Sequence, residues 1–302
     1  MTENRDTPQG LAYALAAYGI WGFLPLYMKL LDHISPAEVV AHRIIWSVPI
    51  AGALLILLGR TGDIRTALRT PKMLAMGCIT ASLITVNWGL FIWAIISNHA
   101  LDAALGYYIN PLFSVFLAAV LLGERLNPLQ WAAIALAAIA VLILTIDNGT
   151  VPWVALTLTF TWGFYAFFKK SLPIGPNQGF LLEVLVLTPP ALCFIVWLAA
   201  TGENHFANSN AINTWLLLGT GVITAVPLLL YANGAKLLKL STMGILQYIA
   251  PTTIMLIGVF VFEEPFGRAQ MIAFPMIWLA LILYTTVMFR QLRANRRTQP
   301  LV

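Results

Sequence analysis

A chain of 302 residues that is 60% hydrophobic and only 10% charged, with a mean hydropathy of +0.83, does not suit a soluble domain and belongs in a bilayer. Its net charge of +5 does not point to nucleic acid, because the basic residues sit between apolar segments rather than along one face. Cys78 and Cys193 lie inside apolar segments without metal-ligand neighbours, which leaves them a packing role.

Ten apolar runs follow one another, each long enough to cross a hydrocarbon core of about 30 Å as a helix. They fall near 11–31, 37–58, 73–96, 101–121, 128–146, 152–170, 178–199, 214–237, 241–262 and 268–289. The first has no basic stretch ahead of it and no cleavage signal behind, so it reads as a retained helix. Only the connections 59–72 and 200–213 exceed ten residues, which leaves no room for an appended soluble domain.

Flanking Lys and Arg stay on the cytoplasmic side of a membrane. With the amino terminus inside, Arg5, Arg60, Arg65, Arg69, Lys72, Arg125, Lys169, Lys170, Lys236, Lys239, Arg290, Arg293, Arg296 and Arg297 share that side. The opposite side holds Lys29 and Arg268, and Arg43 remains inside the second helix. Both termini are therefore expected in the cytoplasm.

The run Leu105–Leu126 is repeated in degraded form at Ile245–Phe266: Tyr108, Ile109, Pro111 and Glu124 recur as Tyr248, Ile249, Pro251 and Glu264, 140 residues on. Trp21, Gly22, Phe23 and Lys29 return as Trp162, Gly163, Phe164 and Lys170 at a spacing of 141. Two motifs returning in order at nearly one offset indicate a duplicated half. The expected fold is an all-α polytopic membrane protein of ten transmembrane helices in two five-helix repeats, 11–146 and 152–289, with tails 1–10 and 290–302. Five crossings per copy make the repeat inverted, the plan of secondary transporters.

Candidate site residues follow from depth and chemistry. Pro25, Pro49, Pro111, Pro189, Pro190, Pro227, Pro251 and Pro275 fall in mid-run, where each removes a backbone hydrogen bond. Pro111 and Pro251 are read either as kinks or as helix breaks that open the backbone beside a substrate. Ionisable residues inside a membrane mark cavities or partners, which nominates Glu38, His42 and Arg43 on the second helix and Glu183 on the seventh for coupling or gating. The 141 offset sets Glu183 opposite His42, a residue able to titrate near neutral pH. The alternative is that Arg43 snorkels outward while Glu38 and His42 cap or pair with it. Asn87, Trp88, Phe91, Tyr107 and Asn110 in the first half, with Trp162, Tyr231, Gln247 and Tyr248 in the second, combine aromatic walls with a few directing polar groups and nominate a substrate cavity. Tyr165 and Asn233 belong to the same set, and helix packing is the competing explanation for all of it. No HExxH, GxSxG, Walker lysine loop or Cys/His cluster is present, so neither enzyme nor metal site is expected, nor any cofactor.

The strings YGIWGFLPLYMKLL, AEVVAHRIIWS, NWGLFIWAI and LGYYINPLFSVFLAAVLLGERLNPLQW resemble RarD-type proteins of the EamA family, within the drug/metabolite transporter superfamily, and the likeness runs nearly end to end. General EamA halves share only the looser tail ending in GE or EE, here Gly123-Glu124 and Glu263-Glu264. The resemblance implies ten helices in two inverted repeats, a bacterial inner-membrane location and transport of a small organic solute, and the expected function is a secondary active exporter working by alternating access. No binding motif transfers residue by residue, and Gln247 opposite Tyr107 and Ala250 opposite Asn110 weaken any symmetric site. The expected partners are a small-molecule substrate and the lipid bilayer, without nucleic acid, and a homodimer is allowed. The rival function is a non-transporting membrane sensor or lipid-interaction protein.

Overall fold

The structure, a computed structural model, describes residues 7–57, 59, 61–123, 125–207, 210–238 and 240–298. Arg5, Arg60, Glu124 and Lys239 lie outside these residues, as do the side chains of Lys170, Lys236, Arg293, Arg296 and Arg297. The described chain is built from α-helices. The first half contains α1 (Pro8–Lys29), α2 (Pro36–Leu57), α3 (Gly62–Arg69), α4 (Pro71–Ile96), α5 (Ala100–Leu122) and α6 (Pro128–Asn148). The second contains α7 (Trp153–Ser171), α8 (Pro176–Thr201), α9 (Ala211–Leu237), α10 (Leu240–Leu246), α11 (Ile249–Phe260) and α12 (Arg268–Thr298).

Local chemistry sets the helix ends. Pro8, Pro71 and Pro128 stand in the first turn, where a missing N–H costs nothing. Asn127 and Gln130 close a reciprocal capping box at the start of α6. Gly123 and Gly202 end α5 and α8 in the left-handed conformation, at φ +67° and +76°. A more distant cap joins the halves: the Glu264 carboxylate accepts the Ala100 N–H at 2.6 Å and the Leu101 N–H at 2.9 Å, at the start of α5.

Among the described residues, nine helical segments are long and apolar enough to cross a membrane. Helices α10 and α11 contribute one segment together, Thr242–Phe260, and α7 is not among the nine. Helix α7 falls short because its 19 residues include Thr157, Thr159, Thr161 and Lys169. Two further expectations need correction. The run 241–262 is not one helix but turns at Gln247–Tyr248, just ahead of Pro251. Pro111, by contrast, does not break α5, which continues through it to Leu122; one lost backbone bond, to the Tyr107 carbonyl, is tolerated in an otherwise regular helix. Helix α3 occupies most of the connection 59–72 and buries Ile64 and Ala67. Cys78 and Cys193 are exposed on the outside of the bundle rather than packed within it.

Helix packing joins the halves more than it fills either one. Helix α1 lies against α9 and α11, and α7 lies against α4 and α5; α2 packs on α9, and α8 on α4. Helices α2 and α8, α5 and α11, and α6 and α12 pair with one another. Exchanging the two halves, α1 for α7, α2 for α8, α4 for α9, α5 for α10–α11 and α6 for α12, leaves this set of pairs unchanged. Two close approaches repeat with it. A Cβ on Gly22 would run into Thr253, and one on Gly163 into Phe113, the residue that the 140 offset sets opposite Thr253.

Candidate functional site

A cavity of about 610 Å³ lies between the halves, within the size range of small-molecule sites. Two aromatic clusters wall it. On one side Phe91, Tyr107, Trp162 and Tyr165 follow one another at ring separations of 5.9, 6.2 and 5.7 Å. On the other, Tyr18, Trp21 and Tyr231 form a triangle of 5.6–6.0 Å. Trp21 and Trp162, the pair that revealed the duplication, hold matching places in the two walls. Both clusters favour edge-to-face or tilted contacts, the arrangement aromatic quadrupoles prefer.

Of the residues nominated for substrate binding, Asn87, Trp88, Phe91, Tyr107, Asn110, Trp162, Tyr231 and Gln247 line this cavity, and Pro251 lines it too. Tyr248 and Pro111 do not. Gln247 takes the place equivalent to Tyr107, and Tyr248, the next residue of the turn between α10 and α11, packs against the core instead. Tyr108 likewise packs in the core and meets Thr252 Oγ1 at 2.7 Å. Asn233 is exposed and donates to the Leu229 carbonyl within its own helix.

Asn87 is engaged within the protein. Its Nδ2 donates to the Leu158 carbonyl at 3.1 Å and to Thr161 Oγ1 at 2.9 Å, and its Oδ1 accepts from the Tyr107 hydroxyl at 3.1 Å. The amide therefore fixes α4 against α7 and aims the Tyr107 ring. Arg43 is buried at 3% exposure and points inward, not toward the interface. Its Nε donates to Thr224 Oγ1 at 2.9 Å, and its Cζ lies 4.7 Å from the centre of the Trp88 ring.

The remaining ionisable candidates surround the cavity without lining it. Glu183, 1% exposed, accepts from Lys169 Nζ at 2.7 Å and from the Tyr165 hydroxyl at 3.2 Å; both of these partners line the cavity. Glu38, also 1% exposed, accepts from the backbone N–H of His205 at 2.7 Å and meets its Nδ1 at 2.8 Å. His42 Nδ1 accepts from Trp46 Nε1 at 3.0 Å, and its ring stacks on Phe206 at 4.8 Å. Sequence reasoning missed Lys169, His205 and Thr224. In the sequence Lys169 reads as a cytoplasmic flanking charge; its signal is a lysine near the end of one helix and a carboxylate at depth on the next.

The EamA-like transporter family matches residues 8–146 and 150–286, one match for each half. The chain belongs to the EamA-like transporter family. It is 40% identical to Protein RarD of Streptomyces exfoliatus, over 98% of this chain and 94% of that one. It is 40% identical to an uncharacterized transporter of Vibrio cholerae over 98% of each chain, and 33% identical to chloramphenicol-sensitive protein RarD of Pseudomonas aeruginosa over 97% of this chain and 99% of that one. A protein crystal structure with 19% identity shares the fold, with a TM-score of 0.60 over 92% of this chain and 97% of that chain. This EamA-family chain is thus a multi-pass membrane protein of transporter type, related to RarD proteins over nearly its whole length.

Proposed function

We propose that the chain is a secondary active transporter that exports a small organic solute across the bacterial inner membrane by alternating access. The observation that carries this reading is the cavity, bounded by both halves and reaching the α7–α8 turn at Leu172, Ile174 and Asn177 while stopping short of the α1–α2 turn. A site that reaches toward one side and not the other is what alternating access requires. Helix α7 is the tenth crossing, since it repeats α1 in sequence and in packing. Residues 11–146 and 152–289 are then inverted five-helix repeats, and both termini are cytoplasmic, as the distribution of Lys and Arg supports. On that topology the cavity faces the cytoplasm, the loading side of an exporter. The chemistry is transport rather than catalysis, driven by a gradient.

The test is counterflow in proteoliposomes. Trp88→Ala or Asn110→Ala is expected to lower exchange about tenfold or more while leaving membrane insertion intact, because each strips one wall contact from the solute. Exchange that survives both substitutions unchanged refutes this cavity as the site.

A further inference from the structure

Arg43 and Lys169 are the charged side chains that line the cavity. They stand differently. Lys169 is neutralised by Glu183 at 2.7 Å, whereas Arg43 forms no ion pair with any described carboxylate, and Glu38 on its own helix is bound to His205. Arg43 is 3% exposed, and its Nη1 has no hydrogen-bond partner among the described residues. One bond to Thr224 and the face of Trp88 offset only part of the cost of taking a guanidinium out of water. The site thus presents a buried cation with an unused donor and no protein anion. It also presents an unused acceptor: Asn110 Oδ1 is buried without a partner and lines the same cavity.

Taking the transport reading as its basis, we infer that the solute is a small organic monoanion, a carboxylate on an apolar, aromatic-sized body, held by a salt bridge to Arg43. The carboxylate accepts from the guanidinium, the aromatic walls cover the body, and an uncharged N–H or O–H donor on the solute satisfies Asn110. A free ammonium group finds no counterpart, because Glu183 is occupied by Lys169. The site therefore favours an N-acylated amino acid or a hydroxylated aryl carboxylate over a zwitterionic amino acid.

Thermal stabilisation of the purified full chain tests this with N-acetyl-L-phenylalanine, its uncharged primary amide and L-phenylalanine, extended to 3-phenylpropionate and hexanoate with their amides. Each acid is expected to bind about 10- to 100-fold more tightly than its amide, the difference a buried charge-assisted hydrogen bond makes, and N-acetyl-L-phenylalanine more tightly than L-phenylalanine. Arg43→Gln should erase the gap between acid and amide, and Arg43→Lys should restore part of it. Amides that bind as well as their acids, acids that bind Arg43→Gln undiminished, or a panel in which no acid binds would each overturn the inference. If Arg43→Gln fails to fold, the comparison of acid with amide on the unsubstituted chain decides. Counterflow separates the two readings: acids that bind through Arg43 but do not exchange refute transport alone, and exchange that prefers the amides refutes the anion site alone.

Discussion

The α1–α2 turn and the α7–α8 turn are equivalent places in the two halves, yet one is shut and the other borders the cavity. At the shut end Leu31 and Ile34 are buried and the Glu38 carboxylate is stapled to His205. The 141 offset sets Leu172 opposite Leu31, Gly175 opposite Ile34 and Gly179 opposite Glu38, so the second half keeps one residue of the apolar plug and lacks both the other and the staple. Its carboxylate, Glu183, stands one turn deeper, opposite His42, and holds a lysine that lines the cavity. Equivalent helices thus carry different locks. On the transport reading proposed above, the duplicated fold supplies two gates, and a few polar substitutions set which is closed at rest.

The contrast can be broken at either end. The largest effect is expected from Lys169→Ala, which leaves the buried Glu183 carboxylate with Tyr165 as its partner among the described residues; losing one partner of a buried pair costs about 3–5 kcal/mol, a fall in thermal midpoint on the order of 10 °C. Lys169→Met combined with Glu183→Gln should recover more than half of that loss, and a double variant as unstable as the single would show that the pair is not what holds the inner end. Glu38→Gln at the shut end should act more weakly, by about 1–2 kcal/mol, because His205 is partly exposed to solvent. In a background freed of Cys78 and Cys193, labelling of a cysteine at Ile34 should then rise roughly 5- to 30-fold; unchanged labelling would sink the staple. Gly179→Ala should do least. Its Cβ would come within 3.1 Å of Lys169 Cε, the flexible end of a long side chain, so stability should move by less than about 1 kcal/mol and counterflow by less than about twofold.

Much of this was legible in the sequence. Apolar runs near 20 residues report crossings directly, because a bilayer demands that length. Arg43 stood out as a charge inside the second helix, and Trp88, Tyr107 and Asn110 as aromatic or polar groups at mid-depth. Legibility failed where partners are remote or signals short. Glu38 meets a histidine 167 residues away, and nothing local forecasts that. Lys169 closes its run and so resembled an ordinary flanking charge, although its partner lies 14 residues on. Helix α3 has only eight residues, and the turn at Gln247–Tyr248 interrupts no apolar run, so hydropathy passed over both. Pro111 and Pro251 match in sequence and differ in outcome, since a proline only permits a break and the surrounding packing decides whether one forms.

The carboxylate of Glu264, in the connection between α11 and α12, fastens the second half to the first turn of α5 in the other, and α5 and α11 also lie side by side. Such a clamp makes those two helices a single strut. On the proposed alternating-access reading, tilting is expected to pivot around that strut, with α1, α2, α7 and α8 as the moving doors and the α5–α11 seam as their common doorpost.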